Sequence, residues 1–312
     1  IGGLEEVLAA CRTLHAAAPT SYPVFVAVDQ EGGRVERLTK GVLRLPPMRA
    51  LGRHDDVAFT ERVAATLGRQ LLALGFNLDF APVADVDSNP KNPIIGDRSF
   101  GSDPTLVTRH ARAFARGLER SGVIACLKHF PGHGDTSQDS HEELPHVDKS
   151  AVALRRVELY PFERATLDAQ SVMTAHVLFP ALDRVPATLS PRLLGLLRNE
   201  FAFEGMIVSD DLEMAGVAAH YSIEESAVRA VAAGCDLLLV CQSPELQERA
   251  RAALLERAER DADFRTRCRE AVARTLSLRQ RFPQRPARSK RALTEALQNA
   301  DVMAIQAQLS RL

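Results

Sequence analysis

Short runs dominated by apolar residues recur along this chain, and each is followed at once by a polar cluster. That alternation restricts the fold more than any other feature. Residues 24–28, 76–80, 123–127, 171–175, 206–208 and 237–240 read as strands, most of them apolar on both sides. Stretches with helical spacing at 57–74, 104–118, 150–168, 191–199, 223–233 and 245–276 separate or follow them. Asp103 is placed to cap the second of these, with Pro104 in its first turn. Apolar strands alternating with helices predict an α/β fold with a parallel sheet covered on both faces. Six strands are countable, so the pattern alone does not close a barrel; a first strand is expected before Ile1, and no eighth is evident. In parallel α/β folds the functional groups lie at the carboxyl ends of the strands. The clusters that start at Asp29, Ala81, Lys128, Ala175 and Ser209 are therefore expected on one face.

Composition narrows the class. With 312 residues the chain is long enough for one large α/β domain. Its 39 basic and 40 acidic side chains give no electrostatic reason to expect nucleic acid or an anionic membrane as partner. Trp is absent and aromatics are 5%, which disfavours a long cleft of stacked rings and favours a small pocket built from hydrogen-bonding groups. Cys11, Cys126, Cys235, Cys241 and Cys268 form no C-x-x-C pair and read as reduced thiols, mostly in the core. No apolar run approaches the roughly 18 residues of a membrane span. The first residues carry no signal pattern, so a cytoplasmic location is expected unless an upstream signal precedes them. The expected organisation is a single catalytic domain over 1–280, then a basic linker and a C-terminal docking helix over 281–312. A monomer is expected.

Four clusters carry chemistry. Lys128-His129-Phe130-Pro131-Gly132-His133-Gly134-Asp135-Thr136-Ser137-Gln138-Asp139-Ser140-His141 places three histidines, a lysine and two of its aspartates behind a strand. His129 and His133 have the i, i+4 spacing of a helical zinc motif, but Pro131, Gly132 and Gly134 argue against a helix, so no metal is expected. Ser209-Asp210-Asp211 puts carboxylates at a strand end, where either could be a positioned nucleophile or merely a helix cap. Asp29 and Arg37 read as hydrogen-bonding groups for a neutral polar ligand, with a surface salt bridge as the plain alternative. The run Asp85-Val86-Asp87-Ser88-Asn89-Pro90 imitates a calcium loop, yet it has Pro90 in place of the turn glycine. Arg98 nearby is a further polar contact.

Taken together, these segments resemble the bacterial β-N-acetylglucosaminidases of glycoside hydrolase family 3 over roughly residues 23–240. Lys-His-Phe-Pro-Gly-His-Gly followed by Asp139-Ser140-His141 is specific to that subgroup. Leu196-Leu197-Arg198-Asn199-Glu200 with Gly205 and Ser209-Asp210 resembles its nucleophile signature, from which Glu213 departs. The resemblance implies a TIM-type (β/α)8 barrel with C-terminal helices and a retaining mechanism needing no cofactor. It makes Asp210 the nucleophile, His141 the general acid/base and Asp139 its partner. It assigns Asp29, Arg37, Arg98, Lys128 and His129 to the N-acetylglucosamine ring. It gives His176 no firm role.

An imidazole with an unperturbed pKa near 6.5 can give and recover a proton near neutrality, and an adjacent acid can orient it. The glycines around His133 suggest a loop that delivers His141 to bound substrate. The implied activity is removal of terminal β-linked N-acetylglucosamine, with peptidoglycan-derived muropeptides of cell-wall recycling as the family's usual substrate. Phosphorolysis, a metal-dependent hydrolase and an inactive sugar-binding barrel are the alternatives.

Overall fold

A computed structural model describes residues 3–19, 21–137, 144–283, 286–287 and 289–312. Helix α1 (Leu4–Ala17) leads into strand β1 (Ala27–Val28), and a small hairpin of β2 (Gln30–Gly32) and β3 (Val35–Glu36) follows. Helices α2 (Met48–His54) and α3 (Val57–Leu74) precede β4 (Leu78–Asp79), and α4 (Pro104–Ser121) precedes β5 (Ile124–Phe130). Helices α5 (Ala151–Arg156) and α6 (Leu159–Ala165) lead to β6 (Ser171–Thr174), and α7 (Pro191–Gly195) leads to β7 (Met206–Asp211). Helices α8 (Ala215–Ala218) and α9 (Ile223–Ala233) lead to β8 (Leu237–Leu239). The chain ends in α10 (Pro244–Arg260), α11 (Ala262–Arg281), α12 (Lys290–Leu297) and α13 (Ala300–Leu309).

All six strands read from the sequence are present, in one curled parallel sheet ordered β1-β4-β5-β6-β7-β8. This is the TIM-type architecture expected. Side chains alternate across each strand, and one set fills the concave side: Leu78, Ile124, Cys126, Met173, Met206 and Val208 form a single buried cluster. Leu278 and Phe282, at the end of α11, complete that cluster. Asn77, just before β4, donates from Nδ2 to the Phe282 carbonyl at 3.2 Å. The α11 terminus therefore packs under the amino-terminal ends of the strands, opposite the end where function is expected. Asp236, before β8, reinforces that base: its carboxylate pairs with Arg198 and Arg267 at 2.5 Å and with Arg274 at 3.2 Å.

Three stretches expected as single helices are each divided, residues 150–168 into α5 and α6. Asp261 ends α10 and starts α11, because its carboxylate accepts the backbone N–H groups of Asp263 and Phe264 at 3.0 Å. Residues 292–312 likewise contain parts of two helices, not one. Asn299 caps α13 through the Val302 N–H at 3.0 Å. The two final helices bury Leu293, Leu297, Val302, Ile305 and Leu309 in the main core, and Gln70 of α3 donates to the Leu297 carbonyl. Among the described residues no helix is long and apolar enough to cross a membrane.

Candidate active site

Strand alternation selects the groups that face the concave pocket. Ala27, Cys126 and Val208 point into the inner cluster. Two residues further on, the same side is taken by Asp29, Lys128 and Asp210. Strand pairing is interrupted at two of these places. Leu127 pairs with Val172 and Phe130 with Thr174, so three steps on β5 match two on β6. Val208 pairs with Leu237 and Asp211 with Leu239, giving β7 the same excess over β8. Each extra residue is a bulge that re-aims the side chains beside it. One bulge spans Lys128 and His129, the other Ser209 and Asp210. The peptide between Lys128 and His129 is cis.

The sugar-binding residues inferred from the sequence are brought together around a carboxylate that the sequence reading missed. Glu31, in β2, is 1% exposed and accepts from Arg98 Nε and Nη2 at 2.8 Å each. Lys128 Nζ lies 2.5 Å from the same carboxylate and 2.9 Å from Asp29 Oδ1. Arg37 Nη2 approaches the other Asp29 oxygen at 3.7 Å. Asp29 and Arg37 thus form a partly exposed ion pair, which Asp29 links to the buried Lys128. Burial would raise the Glu31 pKa, but the Lys128 and Arg98 charges outweigh it and hold the carboxyl far below the usual range. The same pairing raises Lys128 above an ordinary lysine despite its burial. Two largely buried cations, Lys128 at the end of β5 and Arg98 in the loop after β4, need a buried counter-charge, and that need was the available signal for Glu31. Glu31→Gln is expected to lose about 3 kcal/mol of stability, because it leaves two buried cations facing one another. Urea denaturation measures this, and KM should rise more than kcat falls.

Asp85 is the second residue the sequence reading missed. It is fully buried, and its carboxylate accepts from His129 Nδ1 at 2.7 Å, the His129 N–H at 3.2 Å and the His133 N–H at 2.7 Å. Burial opposes its ionisation, but His129 and these donors lower its pKa. Since the ionised carboxylate only accepts, His129 Nδ1 donates to it, and the ring's Nε2 lies 3.5 Å from Arg98 Nη2. The stretch that imitates a calcium loop thus supplies the anchor of the Lys128-His129 segment.

His133 is buried, and its Nδ1 lies 2.9 Å from Thr136 Oγ1. Desolvation, with His129 adding to it, lowers its pKa to about 4. Among the described residues, no three His, Cys, Asp or Glu side chains come together as a metal ligand set. The loop glycines have a packing role here. A Cβ on Gly134 would sit 1.7 Å from the Val86 carbonyl oxygen, and Gly132 has a φ of +138° against Glu158. Asn92 Nδ2 bonds the His133 carbonyl at 2.8 Å, and Asn89 Nδ2 bonds the Asp135 carbonyl at 3.2 Å. The first half of the motif is therefore fastened to the loop after β4. His141 and Asp139 lie outside the described residues.

At β7 the two adjacent aspartates divide their roles. Asp211 is the structural one: its Oδ1 accepts from the Glu213 N–H at 3.1 Å and the Cys241 N–H at 3.3 Å. Asp210 has one oxygen held by the Asp211 N–H at 2.8 Å, and among the described residues no donor occupies the other. Burial would raise its pKa, but the electrostatic influence of His176 and His129, the Asp211 N–H and the Lys128 charge outweigh this and lower it. A half-restrained, ionised carboxylate at the pocket floor is suited to attack. Glu213, the departure from the family signature, accepts from the Gln242 and Ser243 N–H groups at 2.6 and 3.0 Å. It thereby ties the loop after β7 to the start of α10.

Comparison with known proteins places the chain. The model of the glycosyl hydrolase family 3 N-terminal domain matches residues 2–278. The chain belongs to glycosyl hydrolase family 3. It is 42% identical over 259 residues to a β-hexosaminidase of Chromobacterium violaceum, covering 80% of this chain and 70% of that one. The solved family 3 β-N-acetylglucosaminidase of Paenibacillus sp. FPU-7 superposes with a TM-score of 0.86 at 39% identity, over 94% of this chain. The chain spans 60% of that solved protein's length. The β-N-acetylhexosaminidase of Beutenbergia cavernae gives a TM-score of 0.82 at 32% identity, over 89% of this chain and 86% of that one.

Proposed function

We propose that this family 3 protein is a retaining exo-β-N-acetylglucosaminidase. The observation that carries this reading is the Asp210 oxygen that meets no donor among the described residues, ionised and set beside the Lys128, His129 and Arg98 cluster in a chain 42% identical to a β-hexosaminidase. In the first half-reaction an Asp210 oxygen bonds to the anomeric carbon as the bond to the leaving oxygen breaks. His141, oriented by Asp139, gives its proton to that oxygen. In the second half, neutral His141 takes a proton from water, whose oxygen attacks the anomeric carbon and releases Asp210. Asp29, Arg37, Arg98, Lys128 and His129 hold the ring. A site built from such polar groups rejects a sugar that leaves them unpaired, since each unpaired buried group costs about 1–3 kcal/mol.

Peptidoglycan-derived muropeptides are the substrate class we assign. We place catalysis in residues 1–280 of a cytoplasmic monomer, with 281–312 as linker and docking segment. The test is turnover of a chromogenic β-N-acetylglucosaminide against the matching β-glucoside, with and without phosphate. Free N-acetylglucosamine as the main product under both conditions, with slow glucoside turnover, supports the reading. Preference for the glucoside, or sugar 1-phosphate as main product, overturns it.

A further inference from the structure

His176 follows β6, is fully buried, and lies on neither the sugar-binding cluster nor the His141 segment. Its Nε2 lies 2.9 Å from the Asp211 carbonyl oxygen, and its Nδ1 lies 2.8 Å from Thr188 Oγ1. A carbonyl only accepts, so Nε2 carries a proton and donates to it. Asp211 is thus gripped at its carbonyl by His176 and the Met214 N–H, the latter at 3.0 Å, and at its carboxylate by the Glu213 and Cys241 N–H groups. Its own N–H donates to Asp210 Oδ1 at 2.8 Å.

We propose that His176 is a positioning residue for the nucleophile, fixing the Asp211 backbone so that its N–H holds one Asp210 oxygen and leaves the other aimed at the anomeric carbon. The proposal rests on the reading of Asp210 as nucleophile. The bulge at Ser209 and Asp210 makes such a restraint necessary, because regular ladder hydrogen bonds are interrupted there. Ser209 Oγ accepts the Leu239 N–H at 3.0 Å, fixing the bulge from the β8 side, while His176 fixes it from the β6 side. Thr188 holds the other edge of the ring: it is fully buried, lies 2.8 Å from both Thr174 Oγ1 and His176 Nδ1, and donates to the Ala175 carbonyl at 3.1 Å. An error of about 1 Å in nucleophile placement is enough to cost on the order of 100-fold in rate.

The test compares His176→Leu, His176→Gln and Thr188→Val with the parent protein. Thermal unfolding establishes that each is folded at the assay temperature. His176→Leu is expected to lower kcat roughly 10- to 100-fold, the range for loss of one buried hydrogen bond, with KM within about 2-fold. His176→Gln keeps an N–H donor toward the Asp211 carbonyl and should recover most of the loss. Thr188→Val leaves the imidazole but removes its Nδ1 contact, so an intermediate loss of kcat is expected. A folded His176→Leu with parental kcat, or one in which only KM rises, overturns the proposal.

Labelling by a fluorinated N-acetylglucosaminide, located by peptide mass spectrometry, separates this from the underlying reading. Label on Asp210 in the parent, forming more slowly in His176→Leu, supports both. Label on another residue overturns the nucleophile reading and this proposal with it. Label on Asp210 at an unchanged rate in His176→Leu overturns the His176 proposal alone.

Discussion

Asp210→Ala is expected to reduce turnover of a β-N-acetylglucosaminide by roughly 10⁴-fold or more, the scale on which covalent nucleophiles are missed. The fold should survive. Asp210 contributes a single hydrogen bond to the loop, whereas Asp211 carries the contacts to Glu213 and Cys241. Equal unfolding midpoints for parent and variant, measured beside the rate, make the loss a chemical one. The pH profile has a definite sign. A carboxyl with a lowered pKa stays ionised throughout the neutral range, so the acid limb of kcat/KM belongs below the ordinary aspartate range. Activity is lost only as pH falls through that depressed value. An acid limb nearer pH 6 would assign the attack to some other group.

The residues that face the pocket were legible because they obey a local rule. Asp29, Lys128 and Asp210 each sit two positions after an inward apolar residue at a strand end, so strand period and strand direction suffice to place them. Asp85 and Glu31 obey no such rule. Each matters through partners distant in sequence, at 44 residues for Asp85 with His129 and 67 for Glu31 with Arg98. Only the sheet order brings those pairs together. The family motif pointed to Asp210 over Asp211, but the physical difference between them, that the Glu213 and Cys241 amides occupy Asp211, is not in the composition. The helix breaks at Asp261 and Asn299 were readable in principle from capping residue types. The apolar spacing on either side concealed them. Gly134 is required by the Val86 carbonyl beside it, a contact that composition cannot distinguish from a hinge.

For His141→Ala the expected loss depends on what departs. A sugar or alkyl leaving group needs a proton as its bond breaks, and removal of a general acid there costs roughly 10²- to 10⁴-fold. A nitrophenolate leaves without help, so the same variant should lose far less on that substrate in the bond-breaking step. The ratio of the two losses is the diagnostic, because simple misfolding would depress both rates alike. The pH dependence supplies an independent check. The acid must be imidazolium when substrate arrives, so kcat/KM for the unactivated substrate should fall as pH rises through its pKa, near 6.5 when unperturbed. His141→Ala should remove that alkaline limb and leave the acid limb set by Asp210 in place. The lowered pKa of His133 means it is already neutral at pH 6.5 and cannot generate the limb, although it lies in the same motif. Persistence of the alkaline limb in His141→Ala would therefore move the proton-donating role away from His141 to a group outside this pair of histidines.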